Sequence, residues 1–182
     1  ALITLVAATA ATSFGQGFLD WGNNFSGGER HPIYGPDTGN PGLSVTGQSA
    51  LGTPAGGTAY TGALLTGTGY TFAIYAGPSG AADSSALNLL VSTTFRTSTA
   101  TGLPKGLVLG GTVTVPGVTP GNAAKFQVRA WDNAGGTLTS WAQATQAVGG
   151  SPFIGFSSVV TSGALGGIDS GGNIVANPST IG

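Results

Sequence analysis

The sequence predicts an all-β fold, an antiparallel β-sandwich with an extended N-terminal strand, and three observations predict it. Short apolar or alternating runs recur along the chain, each closed by Gly, Pro, Asn or Ser. The 34 glycines and 10 prolines of the 182 residues fall mostly between these runs, without a collagen-like period, as turn punctuation does. No amphipathic helical stripe stands out, and TSWAQATQAV is the single weak helix candidate. Strands without helices must bury their apolar faces against one another, which a sandwich achieves.

The chain divides into a leader-like segment, residues 1–16, and a single sandwich domain, residues 17–182. The opening ALITLVAATAATSFGQG is apolar over residues 2–11 and then turns small and polar. That order matches the apolar and cleavage regions of a secretory signal, with cuts expected near Ala11 or after Gln16. The apolar run is shorter than the ~20 residues a membrane-spanning helix needs. Ile3, Thr4, Val6, Thr9 and Thr12 favour an extended strand. In a strand, Leu2, Thr4 and Val6 face one way and Ile3, Leu5 and Ala7 the other, so both faces are largely apolar. Such a strand suits insertion between two sheets or along the open edge of a neighbour, with Leu2, Ile3, Leu5 and Val6 as the subunit contacts. Sixteen extended residues reach roughly 50 Å, enough to cross an adjoining domain. The sequence has no methionine, so residues are expected to precede Ala1 in the translation product.

From Gly17 onward GFLDWGNNF, HPIYGP, TGYTFAIYAGPSG, ALNLLVSTTFRT, LVLGGTVTVPGVTPG, AKFQVRAWDNAGG, TSWAQATQAV and SPFIGFSSVVTSG each read as a strand with its turn. Tyr70, Phe72 and Ile74 share one face, opposite Thr71, Ala73 and Tyr75. Phe126, Val128 and Ala130 likewise alternate with Gln127, Arg129 and Trp131. Residues 39–69, rich in Gly, Thr, Ser and Pro, read as long surface loops around one or two short strands.

The stretch AKFQVRAWDNAGGTLTSWA, an aromatic-led strand, a polar Gly turn and a Ser-Trp strand, resembles the last hairpin of fibronectin type III and related immunoglobulin-like domains. The resemblance implies an immunoglobulin-like sandwich, with a jelly-roll-like one as the other sandwich type. A wider resemblance rests on ATSFGQGFLDWGNNF, on TPAGGTAYTGALLTGTGYTFAIYAGPSG and on the same hairpin. Together they resemble exported, low-charge proteins of the PEP-CTERM type from Verrucomicrobia, in which Gln-Gly commonly marks the leader junction, so the resemblance implies a junction at Gln16-Gly17. The resemblance implies export to the cell surface or matrix and implies no reaction. The chain ends NPSTIG, where Pro178, Ser179 and Thr180 are similar to the family's tail motif without its acidic residue, apolar helix or basic end.

Composition narrows function further. Charged residues make up 6% of the chain, against roughly 25% in an ordinary domain, and the formal net charge is −1. Copies therefore repel one another little, and no basic patch serves a nucleic acid. Without cysteine there is neither a disulfide framework nor a thiolate metal site, and one histidine leaves little room for a triad. No G-x-S-x-G elbow occurs, and GPSGAAD and GGSPFIG lack the P-loop lysine. Glu29, His31 and Asp37 form a polar cluster that reads as a solvated turn more readily than as an acid–base or cation site. Asp132-Asn133 ahead of Ala-Gly-Gly reads as a hairpin turn in preference to a calcium site. Asn24-Phe25-Ser26 matches an N-glycosylation sequon. No catalytic, cofactor-binding or metal site is expected.

Two functions remain. The first is a secreted structural subunit of an extracellular filament or surface matrix, a head-to-tail homopolymer joined by donor-strand exchange. The second is a carbohydrate-binding or adhesive module, with Trp21, Trp131 and Trp141 as a glycan platform and Tyr34, Tyr60, Tyr70 and Tyr75 as further candidate rings. Against the platform stands core packing, since Trp131 and Trp141 occupy hairpin positions where a sandwich buries aromatic residues.

Overall fold

The computed structural model describes residues 15–24, 31–35, 62–97, 105–146 and 153–177. Leu2, Ile3, Leu5 and Val6 lie outside the described residues, as do Glu29, Asp37 and Tyr60. Among the described residues the chain forms nine strands. They are β1 (Gly17–Trp21), β2 (Tyr70–Pro78), β3 (Asn88–Thr94), β4 (Gly111–Val115), β5 (Ala124–Asp132), β6 (Ile154–Phe156), β7 (Val160–Thr161), β8 (Gly167–Ile168) and β9 (Ile174–Val175). One short helix, α1 (Trp141–Gln146), and two 3₁₀ turns, Ser84–Ala86 and Ala134–Gly136, complete the elements. The protein is all-β in class, its strands pairing antiparallel with little helix.

The largest sheet is built on β2 and β5, nine residues each, paired from Tyr70↔Asp132 to Pro78↔Ala124. Their period of two sends Phe72, Ile74 and Ala76, with Ala124, Phe126, Val128 and Ala130, to one core. Ala73 and Trp131 point to the opposite face, where Tyr75 and Trp141 pack with them. Both faces of the β2–β5 pair are thus covered, in agreement with the alternation read from the sequence. On the other side of β2 lies β3, whose register slips between Ile74 and Tyr75, so that Ile74 faces Val91 while Tyr75 faces Leu89. Pro78 lies beyond the reach of β3, whose pairing ends at Ala76↔Asn88, so its missing N–H breaks no bond there.

β5 is flanked on its other edge by two short pieces, β6 against Arg129, Ala130 and Trp131, and β7 against Lys125 and Phe126. Between them Ser157 keeps the ladder intact, its N–H donating to Val128 O at 2.9 Å and its Oγ accepting from Val128 N at 3.0 Å.

β1 pairs with β4 from Gly17↔Val115 to Trp21↔Gly111, sending Leu19 and Trp21 inward and leaving Phe18 and Asp20 outside the core. Phe18 also bridges to Gly166, which brings the β8–β9 ribbon beside β1. Leu19, Trp21 and Val115 join Phe72, Ile74 and Phe126 in a single core, which Phe95, Val108 and Leu165 complete. Trp21 stacks on Phe72 at 6.1 Å between ring centroids, and Phe95 meets Phe72 edge-on at 6.3 Å. Each such side chain, fully buried, is worth about 1.5–3 kcal/mol of transfer free energy. The β1–β4 pairing leaves no room before β4, where a Cβ on Gly110 would collide with the carbonyl oxygen of Trp21.

The hairpin expected after β5 takes a different form. Its turn is present, with Gly135 and Gly136 at φ 69° and 94°. Its second strand is not: WAQATQ folds into α1. Ser140 and Gln143 form a capping box that decides this. Gln143 N donates to Ser140 Oγ at 3.2 Å, while Gln143 Oε1 accepts from Ser140 N at 3.1 Å and from Thr139 N at 2.8 Å. Ala144 then buries its methyl group beside Trp131.

Candidate binding surface

The face of the large sheet turned away from the main core gathers polar and aromatic groups from four elements. Strand alternation places Gln127, Arg129 and Trp131 of β5 there, with Tyr75 of β2. β6 adds Ile154 and Phe156 opposite Trp131 and Arg129, and α1 adds Trp141.

Trp131 is the floor. It is 1% exposed, and its Nε1 donates to Leu138 O at 2.9 Å, so the indole's one polar group is satisfied within the fold. Trp141 lies half-buried across it, edge to face at 6.0 Å, and meets Phe156 edge-on at 6.1 Å. Phe156 is 68% exposed and Ile154 44% exposed. Arg129 lies beside these rings, its Cζ 3.8 Å from the centroid of Tyr75 and 5.3 Å from that of Trp141. Its Nε donates to Gln127 Oε1 at 2.8 Å and its Nη2 to Ser84 O at 2.7 Å. Gln127 in turn donates from Nε2 to Ser157 O at 2.9 Å, so the cluster is tied to both neighbours of β5. A guanidinium over an aromatic ring gains about 0.5–2 kcal/mol, more as water is excluded.

The three tryptophans singled out from the sequence therefore do not make one platform. Trp21 is buried in the main core, on the far side of the sheet from Trp141, because strand period two assigns it the same face as Leu19. Trp131 shares the outer face with Trp141 yet is covered by it. Only Trp141 of the three is partly open to solvent. Tyr70 packs against the main core and meets Phe153 edge-on, and Tyr34 is half-buried in an isolated bridge with Leu64. Arg129 and Phe156 belong to the surface and carried no motif. Their signal was the alternation of QVRAW and IGF, which places Arg129 and Phe156 on the same side as Trp131 and Ile154.

The remaining candidates resolve into turns. Asp132 Oδ1 accepts from Ala134 N at 2.8 Å and Asn133 Oδ1 from Gly136 N at 3.0 Å, so both oxygens shape the turn after β5. Asp169 Oδ1 accepts from Asn173 N at 2.8 Å and Gly171 N at 2.9 Å, closing the β8–β9 turn and holding its carboxyl below the usual value. Among the described residues no three His, Cys, Asp or Glu side chains are grouped as a metal site would need. An open depression beside Phe18, Pro120 and Ile168 carries one carboxylate, Asp169, already engaged in its turn.

Comparison with known proteins gives no match: no family model, no curated protein and no solved structure is similar to this chain. Among the described residues no helix is long and apolar enough to cross a membrane.

Proposed function

We propose that the protein is an exported, non-catalytic structural subunit of an extracellular filament or surface matrix, assembled by pairing between copies along sheet edges. The two sheets are read as the layers of a β-sandwich, since the β1–β4 ribbon and the β2–β5 face feed one core. The observation that carries the assembly reading is the outer edge of β6. Hydrogen bonds from Asp132 N to Phe153 O and from Ser157 N to Val128 O mark the closely paired positions of the ladder. By antiparallel alternation the N–H and C=O of Ile154 and Phe156 point away from β5. Among the described residues no strand lies beyond β6, and the side chains at both positions are exposed. An open edge with exposed apolar side chains is a template for another strand. The residue 1–16 segment, with Leu2, Ile3, Leu5 and Val6 on its two faces, is the donor proposed for it, and the low charge of the chain offers little repulsion between copies. Export is supported by the resemblance to PEP-CTERM-type proteins.

Electron microscopy and sedimentation of three forms test the assembly. The intact chain forms filaments or large oligomers, and the chain lacking residues 1–16 stays monomeric. Ile154→Pro stays monomeric as well, because the lost N–H faces outward and the subunit's own ladder is retained. A truncated chain that assembles as the intact one does overturns the donor-strand reading.

A second reading, a carbohydrate-binding or adhesive module, is favoured by Trp141 and Phe156. Their rings meet edge to face beside Arg129 and are partly exposed, so an open ring face is available for a sugar to stack on.

A further inference from the structure

We propose that Arg129, Tyr75 and Trp141 form a recognition site for an acidic sugar, a uronate unit of an anionic polysaccharide. The inference rests on the second reading above and adds to it the charge of the ligand and the group that reads it.

Arg129 is 8% exposed, and among the described residues no carboxylate pairs with it. Its partners are neutral, the amide oxygen of Gln127 and the carbonyl oxygen of Ser84. A guanidinium withdrawn from water with only neutral acceptors is electrostatically underused, since desolvation weakens its hydration while no anion compensates. Asp83, which caps the adjoining 3₁₀ turn, turns its Oδ1 to that turn, accepting from Ser85 N at 2.7 Å and Ser85 Oγ at 2.6 Å.

The remaining donors are the two N–H groups of Nη1 and one of Nη2. Neither side-chain nor backbone acceptors of the described residues take them. No fully buried side-chain nitrogen lacks a partner, so Nη1, which has none, keeps some contact with solvent. Two bonds fix the guanidinium from behind, and the Tyr75 ring at 3.8 Å and the Trp141 ring at 5.3 Å restrict its position. With Nε and one N–H of Nη2 already bonded, Nη1 and the remaining N–H of Nη2 are the pair that a carboxylate would take end-on. The side chain's rotamer freedom is already lost in the unliganded protein, which lowers the entropic cost of binding.

The surroundings select a sugar over an acidic peptide. The wall beside Arg129 consists of aromatic rings, Trp141 with Phe156, on a sheet face, and these surfaces suit the C–H faces of a pyranose. A peptide would gain most from backbone pairing, which the β6 edge offers and this face does not.

Titration calorimetry on the intact chain with tri-galacturonate, its fully methyl-esterified form and a penta-glutamate peptide tests the site. The acid trimer is expected to bind at least tenfold more tightly than the ester, with affinity falling as salt rises. Arg129→Lys keeps the charge but loses the fork, and is expected to lose most of that preference while Phe156→Ala weakens acid and ester alike. The ester comparison uses the unaltered protein, so it holds even where an Arg129 variant fails to fold. Equal binding of acid and ester overturns the acidic-sugar assignment and leaves the glycan reading standing. Binding of neither trimer removes both. Penta-glutamate binding as tight as the acid trimer overturns the saccharide assignment.

Discussion

Asn23 holds Val108 across 85 positions of the chain, its Oδ1 accepting the Val108 N–H at 2.9 Å within the protein interior. The same side chain donates from Nδ2 to Gly106 O at 2.8 Å and to His31 O at 3.1 Å. One amide thus satisfies three backbone groups where the chain passes from β1 and from the segment before β4.

Asn23→Ala is expected to leave the Val108 N–H buried without a partner, while the Gly106 carbonyl keeps the Ile33 N–H at 3.0 Å. An orphaned buried donor costs about 1–3 kcal/mol, and a loss on that order follows. That is a large share of the ~5–15 kcal/mol that holds a domain together. Urea unfolding reads it as a lower midpoint at unchanged slope. Asn23→Asp keeps the acceptor but turns a carboxylate toward carbonyl oxygens, and is expected to be no milder. A midpoint within error of the parent would contradict the bridging role.

Gln143→Ala removes one half of the capping box and is expected to cost about 1 kcal/mol. The consequence reaches beyond α1, because Trp141 and Ala144 cover Trp131. Loosening α1 admits water to Trp131, and tryptophan emission shifts to the red before global unfolding. Gln143→Glu retains the acceptor and is expected to restore the parent spectrum at neutral pH. An unshifted spectrum in Gln143→Ala would show that packing alone holds the helix.

Asp169 and Asp83 give the stability a pH dependence of defined sign. Hydrogen bonds from the Asn173 backbone and side chain hold Asp169 below its ordinary value of 3.8, and the Ser85 hydroxyl and backbone do the same for Asp83. The folded state therefore binds the proton less readily than the unfolded chain. The stabilisation is fully present above the ordinary value of 3.8 and is lost as pH falls through the depressed folded values. Thermal melting of Asp169→Asn is expected to depend less on pH below that value than melting of the parent. Both groups lie on the surface, so the effect shrinks with added salt. Parallel melting curves for the two proteins from neutral pH into acid would exclude the carboxylate as a source of the dependence.

The sequence by itself determined the strands whose periodicity is local. YTFAIYA and KFQVRAW alternate over enough residues that only one set of faces buries Phe72, Ile74 and Phe126 together. It also determined the turn at Asn133, where short polar side chains bond the next backbone N–H groups and two glycines accept positive φ. Tertiary structure decided what those segments pack against. SWAQATQ contains both a capping box and a strand-like Ser-Trp pair, and local propensity leaves the two close in free energy. Burial of Ala144 beside Trp131 adds to the helix a contact that exists only once β5 is paired. The tryptophans show the same division. Trp21 is sealed by Phe72 and Trp131 by Trp141 and Leu138, partners brought together by folding. Arg129 carried no motif, because its character arises from Tyr75 on one strand, Ser84 on a turn and Trp141 on a helix, and only the folded chain brings these to one guanidinium.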